Sequence, residues 1–485
     1  MPQILVLFAA VFAAGISSLQ MELSLLREAT FVLGSTASTN SFIISIFLAG
    51  LALGAYGVTH LLRRAPSSAR RIFVASQMVA CLAIVIFVFT RLEFLYGDAS
   101  SGATYLYFGM MTLVPSLVAG MSFTLFVSML YGRGEKYIAT IYAVSTIGNV
   151  LSGFAHGLVI VPYLGMATTY FVAILGAGLA ALLVAGYKPI GRIALAAMVA
   201  VMAFLGLVGK PLPEKILWSK DDIHGVVQIV DASEDWDGYD GSLGIDLRIH
   251  NKHNCANGEW DMRWQRGIAD YSQTLLGGKV RRVLNIGFCS GKTVDRFLEL
   301  PGVKEVVTVD MNRTVLSAAE TFFPDIYRRV MADERSKVVI DEFRNYVRHL
   351  DDDDIFDVVV IDISIDDPYY HGMFTRELFA ELYQHLSPQG VLFIAKRYAL
   401  RTLGDVFDYC YTPTERFAKK FFFFTKEEVA SRQLRGLEPY NANKRSGLVY
   451  TDHEVYEVAA DQRAVIDDRS YYLPRWVRRA LGGIA

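Results

Sequence analysis

Asp310, Asp341 and Asp362 each close a short apolar run, and a glycine-flanked turn, "GFCSG" from Gly287 to Gly291, precedes all three. An acid about 20 residues beyond such a turn suits paired hydrogen bonds to ribose hydroxyls. Asp341 can accept from an adenine amino group. Asp362 lies nearest the reacting end, where a carboxylate binds a cation or takes a proton. Any one of these acids alone is an ordinary strand terminus or helix N-cap. Three in succession on one edge, behind a glycine turn, point to a nucleoside. The turn lacks the full G-x-G-x-x-G spacing. It is not a phosphate loop either, because "GKT" at Gly291–Thr293 has Ile286 where the partner glycine belongs. ATP hydrolysis is therefore disfavoured. A nucleoside without phosphates is expected, bound through its ribose and base by Asp310 and Asp341 above the turn from Gly287 to Gly291.

The elements that must position these residues alternate regularly. "RVLNIG", "KEVVTVD", "KVVID", "FDVVVIDIS" and "GVLFIAKR" read as strands, separated by "GKTVDRFLEL", "TVLSAAETFF", "EFRNYVRHL" and "TRELFAELYQHL" as helices. Strands alternating with helices at this spacing imply parallel βαβ units in a doubly wound sheet. Ligands bind such sheets beyond the carboxyl ends of the strands, where the three acids fall. Upstream, "HGVVQIVDA" and "GIDLRIHN" read as a hairpin forming a small β element over 216–260, and "WDMRWQRGIADYSQTLL" has helical apolar spacing. The α/β domain is expected over 261–400. A C-terminal extension follows over 401–485, in which "AKKFFFFTKEE" reads as one more buried strand. Near its end "YYLPRWVRRALGG" forms a basic amphipathic helix suited to anionic lipid or to docking on the domain surface.

Residues 1–210 differ in kind. Seven apolar stretches, at about 3–24, 41–62, 72–90, 104–130, 138–162, 165–187 and 191–209, reach or approach the length of about 20 residues that spans a bilayer. The fold class expected is thus a helical multi-spanning membrane domain followed by an α/β doubly wound domain with a small N-terminal β element. Arginines and lysines after the second, fourth and sixth stretches share the side of the N-terminus, which the positive-inside rule makes cytoplasmic. Seven spans would then place the α/β domain outside, against the cytoplasmic setting expected of nucleotide chemistry. A re-entrant segment near Pro115 would reconcile the two, and a cytoplasmic domain on the inner membrane is the expectation. Glu22, Asn149 and His156 lie at depth and are expected to hydrogen-bond between helices. "GLALGAYG" (Gly50–Gly57) reads as close helix packing. The net charge of −2 supplies no basic field for nucleic acid. Cys81, Cys255, Cys289 and Cys410 form no C-x-x-C pair and suggest a reducing compartment. His250, His253, Cys255 and His371 match no strong zinc pattern, so no metal is expected. Asp351–Asp354 read as a solvated turn.

The order of glycine turn, "VDMN", "IDEFRNYV", "FDVVVIDISIDDP" and "MFTRELFAELYQHLSPQGVLF" resembles the spermidine synthases, the polyamine aminopropyltransferases. "HGVVQIV" resembles the first strand of their small β domain. "SSLQMELSLLREATFVLGST", "IFLAGLALGAY" and "YAVSTIGNVLSGFAHGLVIVPYLG" resemble the multi-spanning form of that family. The resemblance implies a methyltransferase-like fold that uses decarboxylated S-adenosylmethionine as co-substrate, without metal. An amine such as putrescine attacks the carbon beside the sulfonium. By position, Asp310 would hold ribose and Asp341 adenine. Asp362 would be the base or amine anchor, Asp366 a second carboxylate near the diamine, with Asp367 as its alternative. Gln228 matches the first-strand glutamine, and Tyr369 and Tyr370 would line the mouth. Family members are commonly homodimers.

Three departures matter. The family turn is usually G-G-G-D-G, and here Ser290 takes the place of the acid that grips the donor's ammonium, with Lys292 two residues on. Arg266 in "RWQRG" stands where the family has an acid. The L-D-G-x-x-Q hairpin reads "RIHNKHN", with Asn251 and Asn254 in the polar places. These changes suit a less cationic ligand. Methyl or aminocarboxypropyl transfer from intact S-adenosylmethionine, whose carboxylate Lys292 could meet, is therefore the alternative reading. A third is a transporter or sensor whose nucleoside-binding domain does not turn over.

Overall fold

The computed structural model describes residues 2–33, 37–64, 68–96, 101–130, 136–186, 189–209, 211–222, 225–233, 243–249, 252–363, 374–395, 399–415, 418, 420–444 and 449. They fall into two compact units, Met1–Pro213 with Asp221–Gly225, and Glu214–Lys220 with Val226–Ala485.

Among the described residues, the first unit holds seven helices long and apolar enough to cross a membrane. They are α1 (Pro2–Leu33), α2 (Ala37–Arg64), α3 (Ala69–Tyr96), α4 (Ser101–Leu130), α5 (Lys136–Ala155), α6 (Met166–Val184) and α7 (Pro189–Val208). A π-helical stretch, His156–Leu164, extends α5. Helix α4 runs without interruption through Pro115, so no re-entrant segment forms there. Apolar helices in an apolar solvent associate through close packing and internal hydrogen bonds. Both devices are present. A Cβ on Gly54 would lie 2.1 Å from the Leu117 carbonyl oxygen, and one on Gly120 would lie 2.1 Å from that of Leu51, so α2 and α4 touch backbone to backbone. Gln20 on α1 donates to His156 Nδ1 at 3.2 Å and accepts from Ser152 at 2.8 Å, while Ser24 reaches Thr169 at 2.9 Å. His156 thus plays the interhelical role expected of it.

The second unit begins with a four-stranded sheet in the order β1 (Ile216–Asp222), β2 (Gly225–Asp231), β3 (Ile245–Ile249), β4 (Lys252–Ala256). Strands β2 and β3 form the expected antiparallel hairpin, with Gln228 opposite Arg248. Its other two strands were not expected; they carry lysines and polar residues that blur the period-2 signal.

Helix α8 (Glu259–Leu275) leads into the alternating series β5 (Arg282–Ile286), α9 (Lys292–Glu299), β6 (Glu305–Asp310), α10 (Arg313–Phe322), α11 (Pro324–Ala332), β7 (Ser336–Ile340), α12 (Phe343–Val347), β8 (Phe356–Ile361), α13 (Arg376–Gln384), β9 (Leu386–Ile394) and α14 (Leu400–Gly404). The chain continues through β10 (Tyr409–Pro413), β11 (Phe422–Thr425) and β12 (Leu437–Pro439). The eight strands order as β12-β10-β11-β9-β8-β5-β6-β7. β9, β8, β5, β6 and β7 are parallel, and β11, β10 and β12 join antiparallel. The sheet therefore runs past residue 400, where an extension was expected to begin. Phe421, Phe422, Phe423 and Phe424 are buried, which makes the aromatic run core. One apolar cluster packs Val283, Val306, Val358 and Phe393 against Phe297 and Ile268, and another packs Leu284, Val359 and Leu392 against Phe379 and Leu382. The alternation of side chains across each strand thus feeds two layers. Asp366, Tyr369, Tyr370, Asp367, His250, Asn251, His371 and the C-terminal basic segment lie outside the described residues.

Candidate active site

After β5 the chain builds β6 and β7 on one side, then crosses to place β8 on the other. That reversal opens a crevice beyond the carboxyl ends of β5 and β8. Gly287 sits on its β5 side at φ 96°. A Cβ there would lie 3.2 Å from both the Asp362 carbonyl oxygen and Ile363 Cγ2, so any side chain at 287 would press on the residues that end β8. Glycine is required here for conformation and for space.

Cys289 adopts φ 46°, left-handed backbone that a non-glycine residue enters at some cost. Its thiol is joined to Cys255 on β4 in a disulfide. This bond runs against the reducing compartment that the cysteines suggested. The partners lie 34 residues apart, and no local spacing motif marks such a pair. Gly291, at φ 78°, donates to the Phe288 carbonyl at 2.7 Å and starts α9.

Asp310 binds this turn directly. Its carboxylate accepts from the Phe288 backbone N–H at 2.9 Å and from that of Asn312 at 2.8 Å. Asp341 accepts from the Glu342 N–H at 2.8 Å and from the Asn345 side chain at 2.9 Å, and its own N–H donates to the Asp310 carbonyl at 3.2 Å. The ends of β6 and β7 are thus laced together, and each carboxylate is held and oriented by its donors. Asp362, partly buried, follows β8, with its carbonyl packed beside Gly287. Asp310, Asp341, Asp362 and Gly287 therefore share one edge.

Ser290 is buried, and its hydroxyl donates to Gln265 Oε1 at 2.8 Å. Gln265 in turn donates to Asp261, which also accepts from the Ala256 N–H at 2.7 Å. His253 lies between two acids, with Nδ1 2.7 Å from Asp246 and Nε2 3.5 Å from Asp261. Arg248 holds the other Asp246 oxygen at 2.7 Å. Burial alone would lower the His253 pKa, but hydrogen bonds to Asp246 and Asp261, and their charge, carry it up to about 9. The result is a polar chain from the small sheet through α8 to the turn. Sequence reasoning passed over it, although Asp261 and Gln265 stand i, i+4 on α8.

Lys292 is not exposed on its helix. It is 3% accessible and donates to Asp295 at 2.7 Å. Arg329 reaches the same carboxylate at 2.8 Å. Burial would raise the Asp295 pKa, yet the hydrogen bonds from Arg329 and Lys292 bring it below the ordinary carboxylate range. The i, i+3 spacing of Lys292 and Asp295 was the available signal. Gln228 is fully buried on β2, and Arg266 is exposed on α8.

Comparison with known proteins agrees with the motifs. Residues 265–429 match the Spermine/spermidine synthase domain. A polyamine aminopropyltransferase of Mycobacterium tuberculosis is 24% identical over 417 residues, covering 80% of this chain and 76% of the relative. One from Aeropyrum pernix is 35% identical over 112 residues, covering 23% and 34% of the two chains. The crystal structure of spermidine synthase from Thermotoga maritima aligns with a TM-score of 0.38 at 18% identity, over 55% of this chain and 88% of that one. These relatives are transferases by name, and the resemblance read from the motifs holds.

Proposed function

We propose that this protein is a membrane-anchored transferase of spermidine-synthase type, which moves an aminopropyl group from decarboxylated S-adenosylmethionine to an amine such as putrescine. The observation that carries the reading is the row of Asp310, Asp341 and Asp362 along the edge of a sheet whose strand order reverses at Gly287. Each carboxylate oxygen can accept more than one hydrogen bond, so acids held by backbone amides can still receive hydroxyl or amino protons. Asp310 is assigned to ribose and Asp341 to adenine.

The donor supplies a carbon made electrophilic by its sulfonium. The chain's task is to orient an amine against that carbon and keep it unprotonated. Asp362, beside the crevice, is the group for this, as base or as anchor of the acceptor. Gln228, Asp366 and Tyr369 complete the acceptor side in this proposal, and seven apolar helices supply the anchor.

One observation favours the second reading, transfer of another group from intact S-adenosylmethionine. Ser290 replaces the acid expected to grip a donor ammonium, and its hydroxyl is given to Gln265. The acid that follows on α9, Asp295, is engaged by Lys292 and Arg329. A tail carrying only an ammonium therefore finds weaker anchorage here. Lys292 does not serve that reading either, because its ammonium is engaged by Asp295.

The test is release of methylthioadenosine by the purified full-length protein from the decarboxylated donor plus putrescine. Release that disappears in Asp362→Asn, with donor binding retained, supports the assignment. Undiminished release in that variant removes it. Consumption of only the intact donor selects the second reading.

A further inference from the structure

Two independent features bear on which face of the membrane carries the site. The first is charge. Arg63, Arg64, Arg70 and Arg71 flank the connection between α2 and α3, Arg133 and Lys136 that between α4 and α5, and Lys188 and Arg192 that between α6 and α7. The inter-helix connections on the opposite side, residues 34–36, 97–100 and Gly165, contain no lysine or arginine, so that side carries only Arg27 near the end of α1 and Lys210, Lys215 and Lys220 beyond α7, besides Arg91, against eight basic residues on the other. Arg91, near that side within α3, is paired with Glu28. Basic residues in short loops stay in the cytoplasm. Helix α4 is continuous, and if all seven apolar helices found among the described residues cross, residues from 214 onward emerge on the face opposite the basic loops.

The second feature is redox chemistry. Cys255 and Cys289 are bonded, whereas Cys81 and Cys410 are free and buried. Structural disulfides persist in oxidising compartments and are rare where glutathione keeps thiols reduced. The bonded pair belongs to the second unit and includes the turn residue at φ 46°.

We infer that the unit carrying the candidate site faces away from the cytoplasm, where the Cys255–Cys289 disulfide staples the nucleoside turn to the small sheet. This reverses the cytoplasmic placement expected from nucleotide chemistry. It rests on the membrane-anchored part of the proposed function and not on turnover. Donor and acceptor are then met on the non-cytoplasmic side. The turn becomes sensitive to reductant, because cleaving the bond frees Cys289 from the strand that holds its left-handed backbone.

The test uses the full chain with a reporter fused after Ala485 in a bacterial host. Alkaline phosphatase, which matures only outside the cytoplasm, is expected to be active, and green fluorescent protein, which matures only inside when exported unfolded, is expected to be dark. Thiols alkylated under denaturing conditions after acid quenching of the cells, which exposes the buried Cys81 and Cys410, are expected to number two of four without reductant and four of four after reduction. A fluorescent, phosphatase-negative fusion overturns the inference, as does alkylation of all four thiols without reductant. Extraction by alkaline carbonate tests the anchoring separately. Release of the chain from the membrane would refute the spanning reading itself, and neither outcome depends on catalysis.

Discussion

His253 offers a stability change whose sign and size follow from the structure. Its pKa is raised to about 9 by Asp246 and Asp261, against an ordinary value of 6.5. A raised folded pKa means that the imidazolium's contribution is fully present below pH 6.5 and is lost as pH rises through 9. Each pKa unit corresponds to about 1.4 kcal/mol, so a span of about 2.5 units amounts to about 3–4 kcal/mol at most. The side chain is 27% exposed, so solvent screening trims that figure. All five tryptophans lie beyond residue 213, and Trp260 and Trp264 sit on α8 beside the His253 chain. Urea unfolding of the detergent-solubilised protein, followed by tryptophan fluorescence, therefore reports on this unit alone. The midpoint should fall between pH 6.5 and 9.5, and His253→Gln should start lower and flatten that fall. A midpoint that holds steady across the range, or an equal fall in His253→Gln, would refute the reasoning.

Other outcomes follow from the same geometry. Asp295→Asn leaves the Lys292 ammonium buried without its carboxylate and should destabilise the second unit by about 3–5 kcal/mol, read by the same fluorescence transition. Because the Asp295 pKa is lowered, its contribution is present above pH about 4 and fades only as pH falls through the depressed value, which acid titration of the wild type against that variant checks. Gly54→Leu, whose Cβ would strike the Leu117 carbonyl at 2.1 Å, should separate α2 from α4 and lower the aggregation temperature in detergent while tryptophan-monitored unfolding stays unchanged. Asp362→Asn should abolish product release and leave donor affinity within about twofold, measured by titration calorimetry, since it belongs to the reacting end rather than to the nucleoside grip.

What was legible in the sequence was what repeats. Apolar runs of spanning length gave seven helices, and the β–α alternation gave the order of β5 to β9 and the edge shared by Asp310, Asp341 and Asp362. What was not legible depended on contacts between distant segments. Cys255 and Cys289 look like isolated cysteines until β4 is placed against the turn. Lys292 reads as a partner for a donor carboxylate until Asp295, itself shared with Arg329, is seen to engage it inside. The polar chain from Asp246 to Ser290 joins two strands, a helix and a turn, so no local window contains it. The phenylalanine run at 421–424 was recognised as core, but the sheet's antiparallel end was not, because β10 and β12 are short and separated by irregular turns.

The central claim is that the edge formed by Gly287, Asp310, Asp341 and Asp362 grips an S-adenosyl nucleoside. Titration calorimetry of the full-length protein with the decarboxylated and intact donors tests it most directly. The account predicts saturable one-to-one binding of at least one form, weakened about tenfold or more in Asp341→Ala, as expected for loss of a hydrogen bond to a charged group. No heat of binding from either donor, or equal affinity in Asp341→Ala, would contradict it.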